Sequence, residues 1–154
     1  MDRNFIITEF DTSLGSRLFA FLEKCLPESG RILDLNGRHS FYKDIPGHFD
    51  GFWCMKHNDD IIGTVAVRRM NDKDCELKSL YLLEKYHGMG LGRKLLETAI
   101  ENARKLGYKK IYLHSLSTSK RAVKLYRAAG FKDTEKYNDS IFSDVFMVLE
   151  LRRG

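Results

Sequence analysis

Residues 77–100 read LKSLYLLEKYHGMGLGRKLLETAI, and the junction inside them decides how the rest of the chain is organised. The first part, continued back to Cys75, has the apolar residues Leu77, Leu80, Leu82 and Leu83 mixed with polar ones, which predicts a strand over 75–83. The last part places Leu91, Leu95, Leu96, Ala99, Ile100, Ala103 and Leu106 on one broad face, which predicts an amphipathic helix stopped by Gly107. Between them lie glycines at alternate positions, Gly88, Gly90 and Gly92. Glycine lets a main chain bend into conformations that a side chain forbids and lets it approach a ligand closely. The unpaired N–H groups at the start of the helix, with the positive end of its dipole, then make a place for a phosphate or diphosphate. Arg93 and Lys94 oppose the dipole there, but they suit an anion. The dinucleotide fingerprint GxGxxG fails, because its last glycine falls on Arg93 or Leu95. The P-loop fails too, since no GK[ST] follows. A turn that merely links strand to helix needs fewer glycines, so the anion site is the preferred reading.

Working outward, residues 52–57 and 61–69 read as a β-hairpin around Asn58, Asp59 and Asp60. Upstream of it, residues 4–10 form a first strand. A helix capped by Asp11, Thr12 or Ser13 then runs through Leu14, Leu18, Phe21, Leu22 and Cys25 and ends at Pro27 and Gly30. Residues 31–50 hold a short second helix and a loop. Downstream, 110–114 is a strand and 117–129 a helix, with Ser117, Thr118 or Ser119 as its cap. Residues 131–137 and 144–151 close as two strands. Antiparallel strands followed by strand–helix–strand–helix predict an α+β fold with one mixed sheet.

A length of 154 residues suits one domain, taken as 1–154. Hydrophobic residues at 43% and charged residues at 31% exclude disorder. No apolar run reaches the roughly 20 residues of a membrane span, and the N-terminus lacks a signal-peptide layout, so a cytoplasmic location with no membrane partner is expected. The net charge of +5 is spread among interspersed signs, which fits a small anionic ligand and argues against nucleic acid. Cys25, Cys54 and Cys75 form no CxxC pair, so neither a disulfide framework nor a metal site is expected.

These motifs resemble the GNAT acetyltransferase superfamily. Its pyrophosphate loop, Q/R-x-x-G-x-G/A, matches His87-Gly88-Met89-Gly90-Leu91-Gly92, with His87 where Gln or Arg is usual. The resemblance extends through CELKSLYLLEKYHGMGLGRKLL and IYLHSLSTSKRAVKLYRAAGF, in order over residues 61–151. It implies a central, mostly antiparallel sheet with a splayed middle strand, flanked by helices. It implies acetyl-coenzyme A as co-substrate, without a metal. Cofactor binding then falls to the main chain of Leu80, Tyr81 and Leu82, to His87, Gly88, Met89, Gly90, Leu91, Gly92 and Arg93, and to Ser119 and Tyr126. Leu82 N–H would steady an oxyanion.

Tyr126 matches the family's general acid, since a phenol with a pKa near 10 can protonate a leaving thiolate. Ala122, one turn earlier, leaves room for a thioester. Glu76 resembles the family's base. Leu77 and Leu80 differ in parity, so that role requires a bulge near Ser79; the alternatives are a solvent-facing Glu76 and His114 as base. Cys75, beside Glu76, is the one cysteine in view as a covalent nucleophile. Phe41, Tyr42, His48, Trp53, Tyr137 and Phe142 either line an acceptor pocket or belong to the core, and Asp139 and Asp144 are candidates for holding a cationic acceptor. The expected acceptor is a small-molecule amine, ahead of a protein lysine or N-terminus. A non-catalytic acyl-coenzyme A binding module is the other class, and both monomer and homodimer stay open.

Overall fold

The computed structural model describes residues 4–151. Seven strands form one sheet in the order β1-β2-β3-β4-β5-β7-β6. They are β1 (Phe5–Glu9), β2 (Gly51–His57), β3 (Asp60–Arg69), β4 (Asp74–Leu82), β5 (Lys110–Ser115), β6 (Lys132–Asp133) and β7 (Val145–Glu150). All neighbours are antiparallel except β4 and β5, which run parallel. The helices are α1 (Gly15–Glu28), a single turn α2 (Ile45–His48), α3 (Leu91–Lys105) and α4 (Lys120–Ala128).

Every residue of β3 from Ile61 to Val67 is buried. A strand covered on one face alternates inside and outside, so an unbroken run means that both faces are covered. The covers are α1 and α3, each packed on β3. α1 buries Leu18, Phe21, Leu22, Cys25 and Leu26 at helical spacing. α3 buries Leu91, Leu95, Leu96, Ala99, Ile100 and Ala103. Each fully buried leucine stabilises the fold by roughly 2 kcal/mol, so these two stripes fix both helices to the sheet.

The middle of the sheet opens as expected. β4 and β5 pair only at Asp74↔Lys110, Cys75↔Ile111 and Glu76↔Tyr112. Beyond Glu76, β4 bends away while β5 stays paired with β7 through Ser115. The bend is a bulge: opposite β3, the register steps from Ala66↔Lys78 to Thr64↔Tyr81, so β4 carries one extra residue. Ser79 takes it up with a left-handed φ of 54°. The parity change between Leu77 and Leu80 is therefore real and sits where the sequence put it.

Several expectations need correction. α1 runs past Pro27 to Glu28. Asp11 caps not α1 but a 3-10 turn (Thr12–Leu14) that leads into it. α4 begins at Lys120, because Ser117 turns instead to Asp144, whose carboxylate accepts from its N–H and its hydroxyl at 2.7 and 2.6 Å. Ser119 occupies the cap position of α4, yet its hydroxyl makes no cap bond. The strand expected over 131–137 shrinks to Lys132–Asp133, and Tyr137 leaves that line to donate to a Glu76 carboxylate oxygen at 2.6 Å.

Candidate active site

A cleft of about 1520 Å³ enters the sheet where β4 and β5 part. That exceeds the few hundred to 1,000 Å³ or so of an ordinary small-ligand pocket and suits a long ligand. Leu83 N–H bonds Ile62 carbonyl at 3.0 Å, across to β3. Neighbouring residues of a strand alternate edges, so the N–H and C=O of Leu82 face the open side, and β5 is no longer there to meet them. The Leu82 carbonyl accepts from His87 Nε2–H at 2.9 Å. His87 thus ties the loop to the strand end through its side chain. Leu80, Tyr81 and Leu82 all line the cleft.

The loop lies at one end. Gly88 and Gly90 have φ of 84° and 77°, left-handed values that cost an L-residue about 1–2 kcal/mol. Gly90 occupies the cap position of α3 without a side-chain cap, and the first turn holds no acid. Among the described residues, the N–H groups from Gly88 to Arg93 meet no acceptor. Gly92 lies in the first turn of α3, where a Cβ would rest 3.5 Å from Leu125 of α4. Arg93, Lys120, Arg121 and Lys124 add positive charge to this end. Met89 is 54% exposed and does not line the cleft, whereas His87, Gly88, Gly90, Leu91, Gly92, Arg93 and Ser119 do.

Tyr126 lines the cleft, buried against Phe131, with Ala122 on the same helix face also in the lining. Its hydroxyl makes no hydrogen bond among the described residues. Burial, then the neighbouring Tyr81 phenol, pushes its pKa up, so it stays protonated. Cys25, which sequence reasoning passed over, lines the same cleft beside the Leu82 amide. Burial raises its thiol to about 12, and does the same to Cys75, which is fully buried away from the cleft. Neither offers a thiolate at neutral pH.

The polar group on the far wall is more connected than the sequence suggested. Glu76 is 7% exposed, so it is not the solvent-facing glutamate of one reading, and it does not line the cleft itself. Its Oε2 accepts from Tyr137, and Lys78 Nζ lies 3.8 Å from Oε1. His114 Nε2 is 3.6 Å from the same Oε2, and Nδ1 is 2.6 Å from Ser143 Oγ. His114, Lys78 and Ser143 all reach the cleft. Burial, then Lys78, lowers the His114 pKa against the pull of Glu76, leaving a neutral imidazole at pH 7. Nothing local in the sequence joins Ser143 to His114, which lies 29 residues away.

The α1 side supplies the remaining wall. Tyr42 shares a 2.7 Å hydrogen bond with Ser79 and faces Tyr81. Arg31, Arg38, His39 and Phe41 lie around it, and the 140–143 loop closes the rim, with Arg38 over the Phe142 ring at 4.6 Å. Of the other aromatic candidates, Trp53 is buried core outside the cleft. No three His, Cys, Asp or Glu side chains gather as a metal site among the described residues.

An open strand edge, a glycine loop with free amides and a buried tyrosine now stand along one cleft, and the family model described as acetyltransferase (GNAT) matches residues 14–131. The chain belongs to the GNAT acetyltransferase family. An uncharacterized N-acetyltransferase of Escherichia coli K12, YjgM, is 32% identical over 90 residues, which is 56% of this chain and 53% of that protein. The chain spans about half the length, 39% to 58%, of the curated relatives it matches by sequence. Among solved structures, an acetyltransferase from Streptococcus agalactiae superposes with a TM-score of 0.86 at 23% identity, covering 97% of this chain and 99% of that one. A GNAT family acetyltransferase from Elizabethkingia anophelis, solved with acetyl-CoA bound, gives 0.73 at 20% identity, covering 97% and 99%. At such identities the likeness to these two GNAT structures is one of fold.

Proposed function

We propose that this GNAT chain transfers the acetyl group of acetyl-coenzyme A to a primary amine of a small molecule, by direct attack while both substrates are bound. The observation that carries the reading is the cleft at the parting of β4 and β5. It joins an anion-binding end, an open strand edge and a buried proton donor in one continuous space. The residues fit the co-substrate end to end. The free amides from Gly88 to Arg93, with Lys120, Arg121 and Lys124 nearby, would hold its phosphates. The open main chain of Leu80 and Leu82 would pair with its amide arm as an added strand does. When bound, it supplies a thioester whose carbonyl carbon is open to a nucleophile.

In the reaction a C–N bond forms from the amine lone pair and the C–S bond breaks. The amine must lose a proton, because its pKa near 10 keeps it charged at neutral pH. Ser143 hydroxyl lines the cleft and bonds His114 Nδ1, so it relays that proton to the neutral imidazole. Glu76, 3.6 Å from Nε2, then faces the imidazolium and stabilises it. The family resemblance offered Glu76 itself as base, with His114 as the alternative; the burial of Glu76 and its bond to Tyr137 support a positioning role instead. Tyr126, kept protonated by burial, gives its proton to the departing sulfur, and the second proton that the nitrogen loses as the amide forms restores the phenol. The Leu82 N–H, on the open side of β4, would steady the oxyanion.

The deciding experiment measures coenzyme A binding by calorimetry and free thiol release with a panel of amines. Binding with turnover supports the enzyme. Binding without turnover of any amine moves the reading to a non-catalytic module, and no binding ends it.

A further inference from the structure

Deepening that reading, and resting on it, we propose that the acceptor amine also carries a carboxylate, as an amino acid does, and that Arg31, with Arg38 beside it, holds that group. The argument begins with the two faces of the open strand. Leu82 points toward α3, since a Cβ built on Gly63 would meet both its Cδ1 and that of Leu95. Tyr81, next along the strand, therefore points to the opposite face, where Tyr42 meets it. The glycine loop opens α3, on the first side. Arg31, Arg38, Tyr42 and the 140–143 loop wall the second, where the acceptor must enter.

Arg31 and Arg38 stand on this second wall, and among the described residues neither guanidinium makes an ion pair. Among the described residues, Arg31 reaches only the Ser29 hydroxyl, at the long distance of 3.5 Å. Arg38 lies over the Phe142 ring, with no carboxylate in ion-pair range. Lys78 is a third cation on the rim, 3.8 Å from Glu76. Two acids lie three residues from Arg31: Glu28, which lines the cleft and accepts from Glu84 N–H at 2.8 Å, and Asp34, outside the lining, which accepts from the main-chain N–H of Arg38 at 3.4 Å. Arg31 is half-buried and lines the cleft together with Cys25, Tyr42, Tyr81 and Tyr126. A half-buried guanidinium that makes no ion pair, in a space built for a second substrate, asks for a planar anion that it can bind through two N–H groups.

The opposite reading, a cationic acceptor held by Asp139 and Asp144, loses both residues. Asp144 is committed to Ser117, which lowers its pKa, and neither it nor Asp139 lines the cleft. A second ammonium would instead meet Arg31, Arg38 and Lys78.

The test uses the full chain saturated with coenzyme A and the matched probes phenylalanine and phenethylamine, then leucine and isoamylamine. Calorimetry reads binding without any need for turnover, and thiol release reads KM and kcat. The amino acids are expected to bind at least about tenfold more tightly than their decarboxylated partners. Arg31→Gln should erase that difference, raise KM for the amino acid about tenfold and leave kcat within a small factor. Affinity for coenzyme A should be unchanged, which also shows that the variant is folded, and Arg31→Lys should restore part of the loss. Equal or better binding of the amines overturns the proposal. So does loss of coenzyme A affinity in Arg31→Gln with acceptor binding intact, which would move Arg31 to the donor. Absence of coenzyme A binding in the wild-type chain is a failure of the acetyltransfer reading, and it is seen before any acceptor is added.

Discussion

The Thr64 hydroxyl donates to the Ser79 carbonyl at 2.7 Å, from β3 to the residue of β4 whose main chain is left-handed. Thr64 is fully buried, so that hydroxyl is the partner of a carbonyl that the bulge has taken out of the ladder. Thr64→Val keeps the shape and removes the donor. It should destabilise the fold by about 1–3 kcal/mol, read as a lower urea midpoint at unchanged slope. It should also weaken acetyl transfer, because the bulge aims Leu80 and Leu82 at the gap. An unchanged midpoint would mean that the bulge holds itself.

Gly90→Glu should abolish coenzyme A binding. The position needs a φ of 77°, and the new carboxylate would stand among the amides that await the phosphates. Gly90→Ala adds no charge and should lose only the backbone cost, about 1–2 kcal/mol. Calorimetry on both variants separates charge from strain; equal losses would count against the anion site.

Tyr126→Phe should bind coenzyme A as the parent does and turn over more slowly, on the order of 10²-fold, if the phenol protonates the leaving sulfur. The phenol makes no hydrogen bond among the described residues, so the folded state should barely change. Thiol release and thermal melting read the two effects. Full activity in the variant removes Tyr126 from the chemistry.

Activity should fall as pH drops through the pKa of His114. Burial lowers that pKa below the usual histidine value near 6.5, so the ring is free to accept a proton above that value and carries one well below it. The acid limb of kcat should therefore lie below 6.5. Ser143→Ala should lower kcat, and His114→Gln should both lower kcat and remove the limb. Glu76→Gln should shift it lower still, since Glu76 favours the charged ring. A limb that persists in His114→Gln and vanishes in Glu76→Gln would return the role of base to Glu76.

Cys25→Ser should leave turnover within a small factor. Its thiol, at about 12, is not a nucleophile at neutral pH despite lining the cleft. Mass spectrometry of the chain after incubation with acetyl-coenzyme A should find no acetyl group on Cys25. A stable thioester there would replace direct attack with a two-step route.

What could be read from the sequence was local. Glycines at alternate positions before an amphipathic helix specify the loop whatever surrounds it, and the parity break between Leu77 and Leu80 specifies the bulge at Ser79. The unread part depends on chain segments that meet only after folding. Tyr137 and Glu76 are 61 residues apart, and Tyr42 and Ser79 are 37 apart. Residues 131–137 have the composition of a strand, but the Tyr137 hydroxyl finds the Glu76 carboxylate and the ladder stops at Asp133. Arg31 and Arg38 gave no signal either, because a lone arginine in a polar stretch resembles any surface residue until the fold puts it beside a cleft.

The two faces of β4 hold the chain's options apart. On one face the proposed grip on the donor is made largely by peptide groups, which every amino acid possesses, so it asks little of side chains beyond the glycines of the loop and the nearby cations. On the other, if the acceptor is held as proposed, choice rests on the side chains of Arg31, Arg38, Tyr42 and a rim loop. Grafting a different 31–43 segment should retarget the chain to a new acceptor while the donor half is inherited intact.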